Sequence, residues 1–350
     1  MNQDKLGASD TSRTVVITGG SSGLGYQTAA AILRSTTDWH VLIASRDKGR
    51  TTNAAETLAE QTRNPAVSPM LLDLGSIDVI RGFVEKLGHQ VTSDALPPLH
   101  AVVCNAGLNY VSGTAYTDDG FEATLGVNYL GHFLLANLLI KHITAPARFV
   151  FLAGAGTTSA DGRVNSDQGP MDRLTGVVPP RTDFENLESM VYPDEETTTD
   201  HKRVGMERYA TSKLANVIMA FEFDRRLRAN GLSSPSAPVT SNAFNPGLLP
   251  GTGLARDRGV IQRFLWSKVM PILSLLPSRA STDQRGHELA HIVTDPTLEA
   301  VSGVYFEGRE VANPNPASLD EELARTLWDE SVDLVGLDVQ ELQVPRTNTE

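Results

Sequence analysis

The sequence has a single cysteine, Cys104, among 350 residues, so no intrachain disulfide is possible and a reducing compartment is indicated. Basic residues are outnumbered: 30 Lys and Arg against 42 Asp and Glu give a formal net charge of −12, which argues against a nucleic-acid partner. No apolar run approaches the length of a membrane span, and the polar first 13 residues lack the apolar core of a signal peptide. We therefore expect a globular protein of the cytoplasm with no transmembrane segment.

A glycine-rich segment follows the first apolar run of the chain. Residues 14–17 are β-branched and apolar, which predicts a buried strand, and the Ala-rich stretch 26–34 predicts a helix. A glycine turn between a strand and a helix lets the pyrophosphate of a dinucleotide approach the main chain at the helix N-terminus. The alternative is a glycine-rich turn that binds nothing. The candidate cofactor-binding residues here are Gly19, Ser21, Ser22, Gly23, Leu24 and Gly25.

The next predicted strand, residues 40–44, leads directly into Ser45, Arg46 and Asp47. An acidic residue at this strand tip would accept hydrogen bonds from the ribose 2′-OH of NAD, whereas an arginine suits the 2′-phosphate of NADP. Arg46 therefore predicts NADP(H) as the cofactor. The alternative is a solvated arginine at the start of a helix.

Tyr209 and Lys213 lie four residues apart in a stretch, 205–229, that has the composition of a helix, so they share one face. A phenol has a pKa near ~10 in water, and a neighbouring ammonium lowers such a pKa and helps the phenol to exchange a proton. The ammonium can also bond to ribose hydroxyls. Alone, this spacing usually marks a solvated helix face; together with the glycine turn it indicates a reductase.

Seven segments in this order resemble the short-chain dehydrogenases/reductases, and most closely the branch of light-dependent protochlorophyllide oxidoreductases and retinol-dehydrogenase-like enzymes. The resemblance covers residues 13–336. Besides the glycine turn and Tyr209 to Lys213, it rests on Ala44 to Asp47, Leu72 to Leu74, Asn105 to Gly107, Val127 to Phe133 and Asn245 to Gly247. It implies a doubly wound (Rossmann), mostly parallel seven-stranded α/β sheet with helices on both faces. The alternation of predicted strands and helices agrees, with strands at 14–18, 40–44, 67–72, 99–103, 148–152, 239–244 and 303–306.

The resemblance also implies cofactor contacts at the ends of the later strands. These are Asp73 and Leu74 beside the adenine, Asn105, Ala106 and Gly107 beneath the cofactor, and Pro246 and Gly247 against the nicotinamide. Asn105 or Asp73 could instead cap the helix that follows it.

Three catalytic residues are implied: Tyr209 as the proton donor, Lys213 beside it, and Asn128, which would hold a water that links Lys213 to solvent. His132 is interpreted as a packed residue on a long buried helix. No metal site is predicted.

Two positions depart from the family pattern. The family usually has a Ser or Thr, which orients the reacting carbonyl, where this chain has Gly154. Thr157, Thr158 or Ser159, a backbone N–H or a group of the substrate could replace that hydroxyl, or ketone reduction has been lost. The protochlorophyllide reductases also have a cysteine in the substrate region, whereas the only cysteine here ends the fourth strand, which argues against light-driven chlorophyll chemistry.

The expected organisation is a flexible N-terminus (1–12), one catalytic domain (13–336) and a C-terminal tail (337–350). Within the domain we expect a surface insertion at 157–204 and a substrate lid at 248–282. The apolar stretch 260–277, with Trp266, fits a mobile cover that excludes water from a hydride-transfer site. A core helix pair, a dimer contact or an interfacial membrane helix are the alternatives for this stretch.

Two functions are compatible with these features. The first is an NADPH-dependent reductase acting on a carbonyl or enone of a bulky lipophilic small molecule, as a monomer or homodimer. The second is an NADP(H)-binding protein of the same fold with a non-redox activity, such as an isomerase or cyclase, or with a scaffold role. Gly154 favours the second, whereas the presence of Asn128, Tyr209 and Lys213 favours the first.

Overall fold

The computed structural model describes residues 13–111, 113–154, 180–181, 184–193, 200–247 and 281–338. These residues build an eight-stranded sheet with the order β3-β2-β1-β4-β5-β6-β7-β8. Neighbouring strands are parallel from β3 to β7, and β8 is antiparallel to β7. The strands are β1 (Arg13–Thr18), β2 (Trp39–Ser45), β3 (Val67–Leu71), β4 (Leu99–Cys104), β5 (Ile143–Leu152), β6 (Val239–Asn245), β7 (Tyr305–Glu307) and β8 (Glu310–Val311).

Helices connect the strands and cover both faces of the sheet. They are α1 (Gly23–Ser35), α2 (Lys48–Thr62), α3 (Ile77–Thr92), α4 (Ala123–His142), α5 (Leu187–Val191), α6 (His201–Ala229), α7 (Thr282–Thr294) and α8 (Glu321–Leu334). Short polar side chains mark several helix starts because they accept a backbone N–H of the first turn. Asp47 does this for α2, Ser76 for α3 and Asp200 for α6.

Alternate residues of the central strands pack into two separate apolar clusters, as the two-residue period of a strand requires. Val15 and Ile17 of β1 belong to one cluster with residues of α1, α2 and α7. Val16 belongs to the other, with residues of α3, α4, α6 and α8. The sheet is therefore buried on both sides, which explains why its strands read as continuous apolar runs.

The predicted doubly wound fold is confirmed, but the number of strands is eight rather than seven. The chain reverses at Gly308, which has φ of 65°, and pairs Glu310–Val311 antiparallel to β7. Strand β8 has only two residues, which is too few for a hydrophobic pattern to indicate a strand. Strand β5 begins at Ile143, whereas the predicted strand began at residue 148. The start was predicted too late because residues 143–146 are half-buried or exposed and interrupt the apolar pattern.

Parts of the predicted organisation lie outside the described residues. These are the N-terminus 1–12, residues 248–280 of the predicted lid, including Trp266 and the stretch 260–277, and the tail from 339 onward. Of the predicted insertion 157–204, only residues 180–181, 184–193 and 200–204 are described. Thr157, Thr158 and Ser159 are not among them.

The expectation that no apolar run approaches the length of a membrane span was wrong for helix α4, which has that length and apolar composition. However, 94 % of its apolar window is buried inside the protein. Trp328 of α8 packs over it: its ring lies 4.9 Å from Phe133 of α4, edge to face, and is stacked 5.9 Å from Phe223 of α6. The Arg226 guanidinium lies 4.5 Å from the same ring. Helix α4 is thus a core helix of the fold, held under α8.

We expect Trp328→Ala to lower the free energy of unfolding by about 3–5 kcal/mol, because it removes a fully buried indole and leaves a cavity among three helices. Leu319→Ala is the matched control, since Leu319 is 61 % exposed and its truncation should change stability by no more than about 0.5 kcal/mol. Chemical denaturation of both variants measures this. Equal, small effects would show that α8 is not part of the cooperative core.

Candidate active site

A cavity of about 450 Å³ opens at the carboxyl ends of β1, β2, β4 and β5. Its walls come from sequence segments far apart, and they include most of the predicted site residues. These are Gly19, Ser21, Ser22, Gly23, Leu24, Arg46, Asp73, Leu74, Asn105, Ala106, Gly107, Tyr209, Lys213 and Pro246. Four other predicted residues, Gly25, Asn128, Gly154 and Gly247, are not part of the wall but lie next to residues that are.

The glycine turn between β1 and α1 has the shape of an anion-binding cradle. Gly19 and Gly23 have φ of 66° and 60°, a left-handed conformation that L side chains rarely adopt. A Cβ on Gly25 would stand 2.8 Å from the Gly19 carbonyl oxygen, so only glycine lets α1 start this close to β1. The first N–H groups of α1, which have no partner within the helix, can therefore donate hydrogen bonds to an anion.

Two arginines lie at the end of the cavity that β2 supplies. Arg46 follows β2 directly, and Arg50 is in the first turn of α2; both line the cavity. The Asp47 side chain accepts the backbone N–H of Arg50, and its second oxygen lies 3.3 Å from Arg50 Nη2. Two guanidinium groups at this point fit a phosphate on the adenosine ribose.

Neither Asp73 nor Asn105 caps a helix. The Asp73 carboxylate accepts the backbone N–H of Gly75 at 2.9 Å, and the cap of α3 is Ser76. Asn105 donates from Nδ2 to the carbonyl of Thr18 at 2.7 Å, so its amide joins the ends of β1 and β4. Both residues therefore shape the cavity wall, and the capping alternative is wrong for each.

Tyr209 and Lys213 lie on one face of α6, as their spacing predicts, and both line the cavity. The Lys213 ammonium lies 5.9 Å from the centre of the Tyr209 ring and donates to the carbonyl of Leu152 at 3.2 Å. Lys213 is only 4 % exposed, and this burial lowers its pKa to about 8. The amine is therefore poised to gain or lose a proton near neutral pH.

Asn128 lies in a π-helical stretch of α4, Gly126–Leu130, and is fully buried. Its side-chain oxygen accepts the N–H of Leu108 at 2.8 Å, and its amide donates to the Leu108 carbonyl and to the Ser212 hydroxyl, each at 3.0 Å. A Cβ on Gly107 would stand 3.3 Å from Asn128 Oδ1 and 3.5 Å from Lys213 Nζ. The missing side chain at Gly107 thus leaves a gap that adjoins both polar groups.

Gly154 lies two residues after the end of β5, beside the Tyr–Lys pair. A Cβ at this position would be 3.0 Å from Lys213 Cγ and 3.5 Å from the Tyr209 hydroxyl. A side chain at position 154 would therefore stand beside the Tyr209 hydroxyl, and this chain has none there.

After β6, Pro246 lines the cavity. The next residue, Gly247, has a φ of 67°, and its N–H donates a hydrogen bond to the side-chain oxygen of Asn245 at 2.9 Å.

Several lining residues were missed by the sequence analysis: Thr18, Arg50, Leu108, Asn109 and Tyr110. Arg50 had a signal, a second arginine one helical turn after Arg46. The stretch 108–110 could have been read as the continuation of the chain past β4. Asn109 donates to Met206 Sδ at 3.4 Å, and its buried Oδ1 has no hydrogen-bond partner among the described residues.

Comparisons with known proteins agree with this geometry. A family model described as short chain dehydrogenase matches residues 13–154. Protochlorophyllide reductase A of Arabidopsis thaliana is 32 % identical over 338 residues, covering 92 % of this chain and 76 % of that protein. Retinol dehydrogenase 13 of Homo sapiens is 32 % identical over 340 residues, covering 95 % and 88 %. Among solved structures, an uncharacterised protein of Mycobacterium Paratuberculosis has a TM-score of 0.61 at 25 % identity, covering 94 % of this chain and 95 % of that chain.

The buried amine of Lys213 makes a pH-dependent prediction. Its pKa is lower in the folded than in the unfolded chain, so the unfolded chain binds more protons and stability should rise as pH increases from about 8 to about 10.5. At pH 7 we expect Lys213→Met to be more stable than the wild type by up to about 3 kcal/mol, with the advantage shrinking by pH 10. Denaturant titrations of both proteins at several pH values measure it. An advantage that does not change with pH would contradict the burial of a charged Lys213.

Proposed function

Because this chain belongs to the short-chain dehydrogenase/reductase family, we propose that it is an NADPH-dependent oxidoreductase that reduces a carbonyl or enone of a bulky lipophilic molecule. The observation that supports this most is the shared cavity: the glycine turn and the Tyr209–Lys213 pair, almost 200 residues apart, line the same space. A dinucleotide held by the turn would extend toward the Tyr–Lys pair.

The residues present fit NADP(H). The glycine turn would hold its pyrophosphate, and Arg46 with Arg50 would bind a 2′-phosphate, which NAD(H) lacks. When bound, NADPH supplies the hydride. The chain's own residues must then place the substrate oxygen beside a proton donor and exclude water.

Tyr209 is the proposed proton donor to the substrate oxygen. The ammonium of Lys213 keeps the part of the cavity around Tyr209 positively charged, and Lys213 then returns a proton to Tyr209. The predicted relay water beside Asn128 fits the gap at Gly107, which adjoins both Asn128 Oδ1 and Lys213 Nζ. Each carbonyl oxygen has two lone pairs, so Asn128 Oδ1 can accept from a water as well as from Leu108.

The names of the relatives refer to protochlorophyllide and to retinol, two large, mainly apolar molecules, and this supports a lipophilic substrate here. The cytoplasmic location, the lid at 248–282 with Trp266, and a monomeric or homodimeric state stay predictions. Interfacial membrane contact through 260–277 is the alternative role of that stretch.

The test of the chemistry is Tyr209→Phe, which removes one hydroxyl. We expect NADPH binding to change by less than about threefold and turnover to fall by about 100-fold or more, because general acid catalysis contributes about 10²–10⁴-fold. Steady-state kinetics with fluorescence titration of NADPH separate the two effects. Tyr192→Phe is the control, since Tyr192 is 45 % exposed and not part of the cavity wall. Native turnover in Tyr209→Phe would mean that another group donates the proton.

The test of the cofactor is Arg46→Asp. Losing a charge-assisted contact costs about 1.5–3 kcal/mol, so we expect the Kd for NADPH to rise by about tenfold or more, and the carboxylate should improve NADH binding. Arg50→Ala should weaken the binding of NADPH and leave the binding of NADH unchanged. Arg325→Asp on α8 is the matched control, because this exposed arginine lies outside the cavity wall. Equal affinities for NADPH and NADH in the wild type would contradict this assignment.

Gly154 favours the non-redox alternative, and substitution there separates the two functions. In Gly154→Ser the new Cβ would press on Lys213 Cγ, so we expect lower activity, with the obstruction outweighing the added hydroxyl. Gly154→Ala adds the same Cβ without a hydroxyl and measures obstruction alone. A gain in kcat for Gly154→Ser over Gly154→Ala would show that a missing donor limits a ketone reductase. Measurements of kcat and KM for both variants decide this.

A further inference from the structure

His132 lies on α4 just after the π-helical stretch Gly126–Leu130, and none of its surface is exposed. Its Nδ1 is 2.9 Å from the backbone carbonyl of Asn128, and its Nε2 is 2.9 Å from the hydroxyl of Thr18. A carbonyl only accepts hydrogen bonds, so Nδ1 bears the hydrogen and Nε2 is an acceptor. Burial lowers the pKa of His132 to about 3, which keeps this ring neutral at physiological pH.

The hydroxyl of Thr18 has more partners than its single hydrogen can serve. It accepts the backbone N–H groups of Asn105 and Ala106, both at 2.9 Å, so its lone pairs are occupied. Its hydrogen can go to His132 Nε2 at 2.9 Å or to the Val103 carbonyl at 3.3 Å, and the shorter contact is the better bond. His132 thereby fixes the rotation of the hydroxyl, and with it the direction of the lone pairs that hold Asn105 and Ala106.

The chain that Thr18 holds at Ala106 is held again at Leu108, two residues later. The side chain of Asn128 binds both backbone groups of Leu108, and the backbone carbonyl of Asn128 accepts from His132. Thr18 therefore fixes the segment at Ala106 and Asn128 fixes it at Leu108. His132 joins these two residues and closes a circuit of hydrogen bonds behind the segment 105–108, which lines the cavity.

We propose that His132 is a positioning residue for the cofactor: its ring couples Thr18 to Asn128 and so fixes the height and angle of segment 105–108 under the bound dinucleotide. This role of His132 rests on the proposed function, because it requires that segment 105–108 forms the floor of the cofactor site. His132 does not line the cavity, so it would act through this segment rather than by direct contact. Its effect should therefore appear first in cofactor affinity.

Conservative substitutions separate the two bonds of the ring. In His132→Asn, the side-chain amide stands where Nδ1 stood, so the donor to Asn128 remains and the acceptor for Thr18 is lost. In His132→Gln, the side-chain oxygen reaches the Nε2 position, so Thr18 keeps its acceptor and Asn128 loses its donor. His132→Leu removes both bonds at similar volume.

Asn137→Leu supplies the control for general loss of stability. Asn137 is on the same helix, is 1 % exposed, and donates to the carbonyl four residues before it, Phe133, at 2.9 Å, as His132 does to Asn128. It lies outside the cavity wall. The two leucine variants therefore lose a similar bond on α4 and differ in whether that bond leads to segment 105–108.

The experiment measures the Kd for NADPH by isothermal titration calorimetry and the melting temperature of each cofactor-free protein. We expect His132→Leu to raise the Kd by about tenfold, with smaller increases in His132→Asn and His132→Gln, because a lost buried hydrogen bond has about that effect when it is expressed in binding. Asn137→Leu should lower the melting temperature comparably and leave the Kd within about twofold.

A Kd within about twofold of wild type in His132→Leu would overturn the proposal, as would an equal increase in Asn137→Leu. If His132→Leu does not fold, unchanged Kd values in both His132→Asn and His132→Gln overturn it. A wild-type protein that binds no NADPH would refute the proposed function itself. Tight wild-type binding with insensitive variants would refute only the role of His132.

Discussion

The reversal of strand order between β1 and β4 is the constraint on which the site depends. The chain builds β2 and β3 on one side of β1 and β5, β6 and β7 on the other, so the connections after β1 and β4 diverge to opposite faces. Ile17 and Val103 pair directly, which brings the glycine turn and segment 105–108 to the same edge of the sheet. The cavity is the space that this divergence leaves. The end of β5 supplies Leu152 to its wall, and Gly154 follows two residues later.

Buried polar groups, rather than apolar packing, hold segment 105–108 in place at the floor of the cavity. Thr18, Asn128 and His132 are almost completely buried, and each has hydrogen-bond partners on other elements. A buried polar group without a partner costs about 1–3 kcal/mol, so such a network tolerates few alternative arrangements. Lys213 belongs to the same setting: burial lowers its pKa, and the carbonyl of Leu152 is its acceptor. This network therefore joins segment 105–108 to β1, α4 and α6.

Local patterns made part of this site predictable. The glycine turn, Arg46 and the Tyr209–Lys213 spacing each lie within one short segment, and the strand and helix periods place them without any long-range information. Asp73 and Asn105 both line the cavity, but the partner of the Asn105 amide, the carbonyl of Thr18, depends on how the ends of β1 and β4 meet. The same holds for segment 108–110 and for the two bonds of His132, since they arise from the register of β1 against β4 and from the π-helical stretch in α4. Strand β8 was missed because two residues show no period.

We propose that this chain performs net hydride transfer, whereas Gly154 favours a non-redox activity. The most direct measurement follows NADPH absorbance while the protein acts on a panel of lipophilic ketones, enones and quinones, with product quantified in the same samples. We expect at least one compound to be reduced, with one NADPH consumed per molecule of product. Tight NADPH binding together with conversion of a compound at constant NADPH, or with no conversion of any compound, would contradict it and favour an isomerase, cyclase or scaffold.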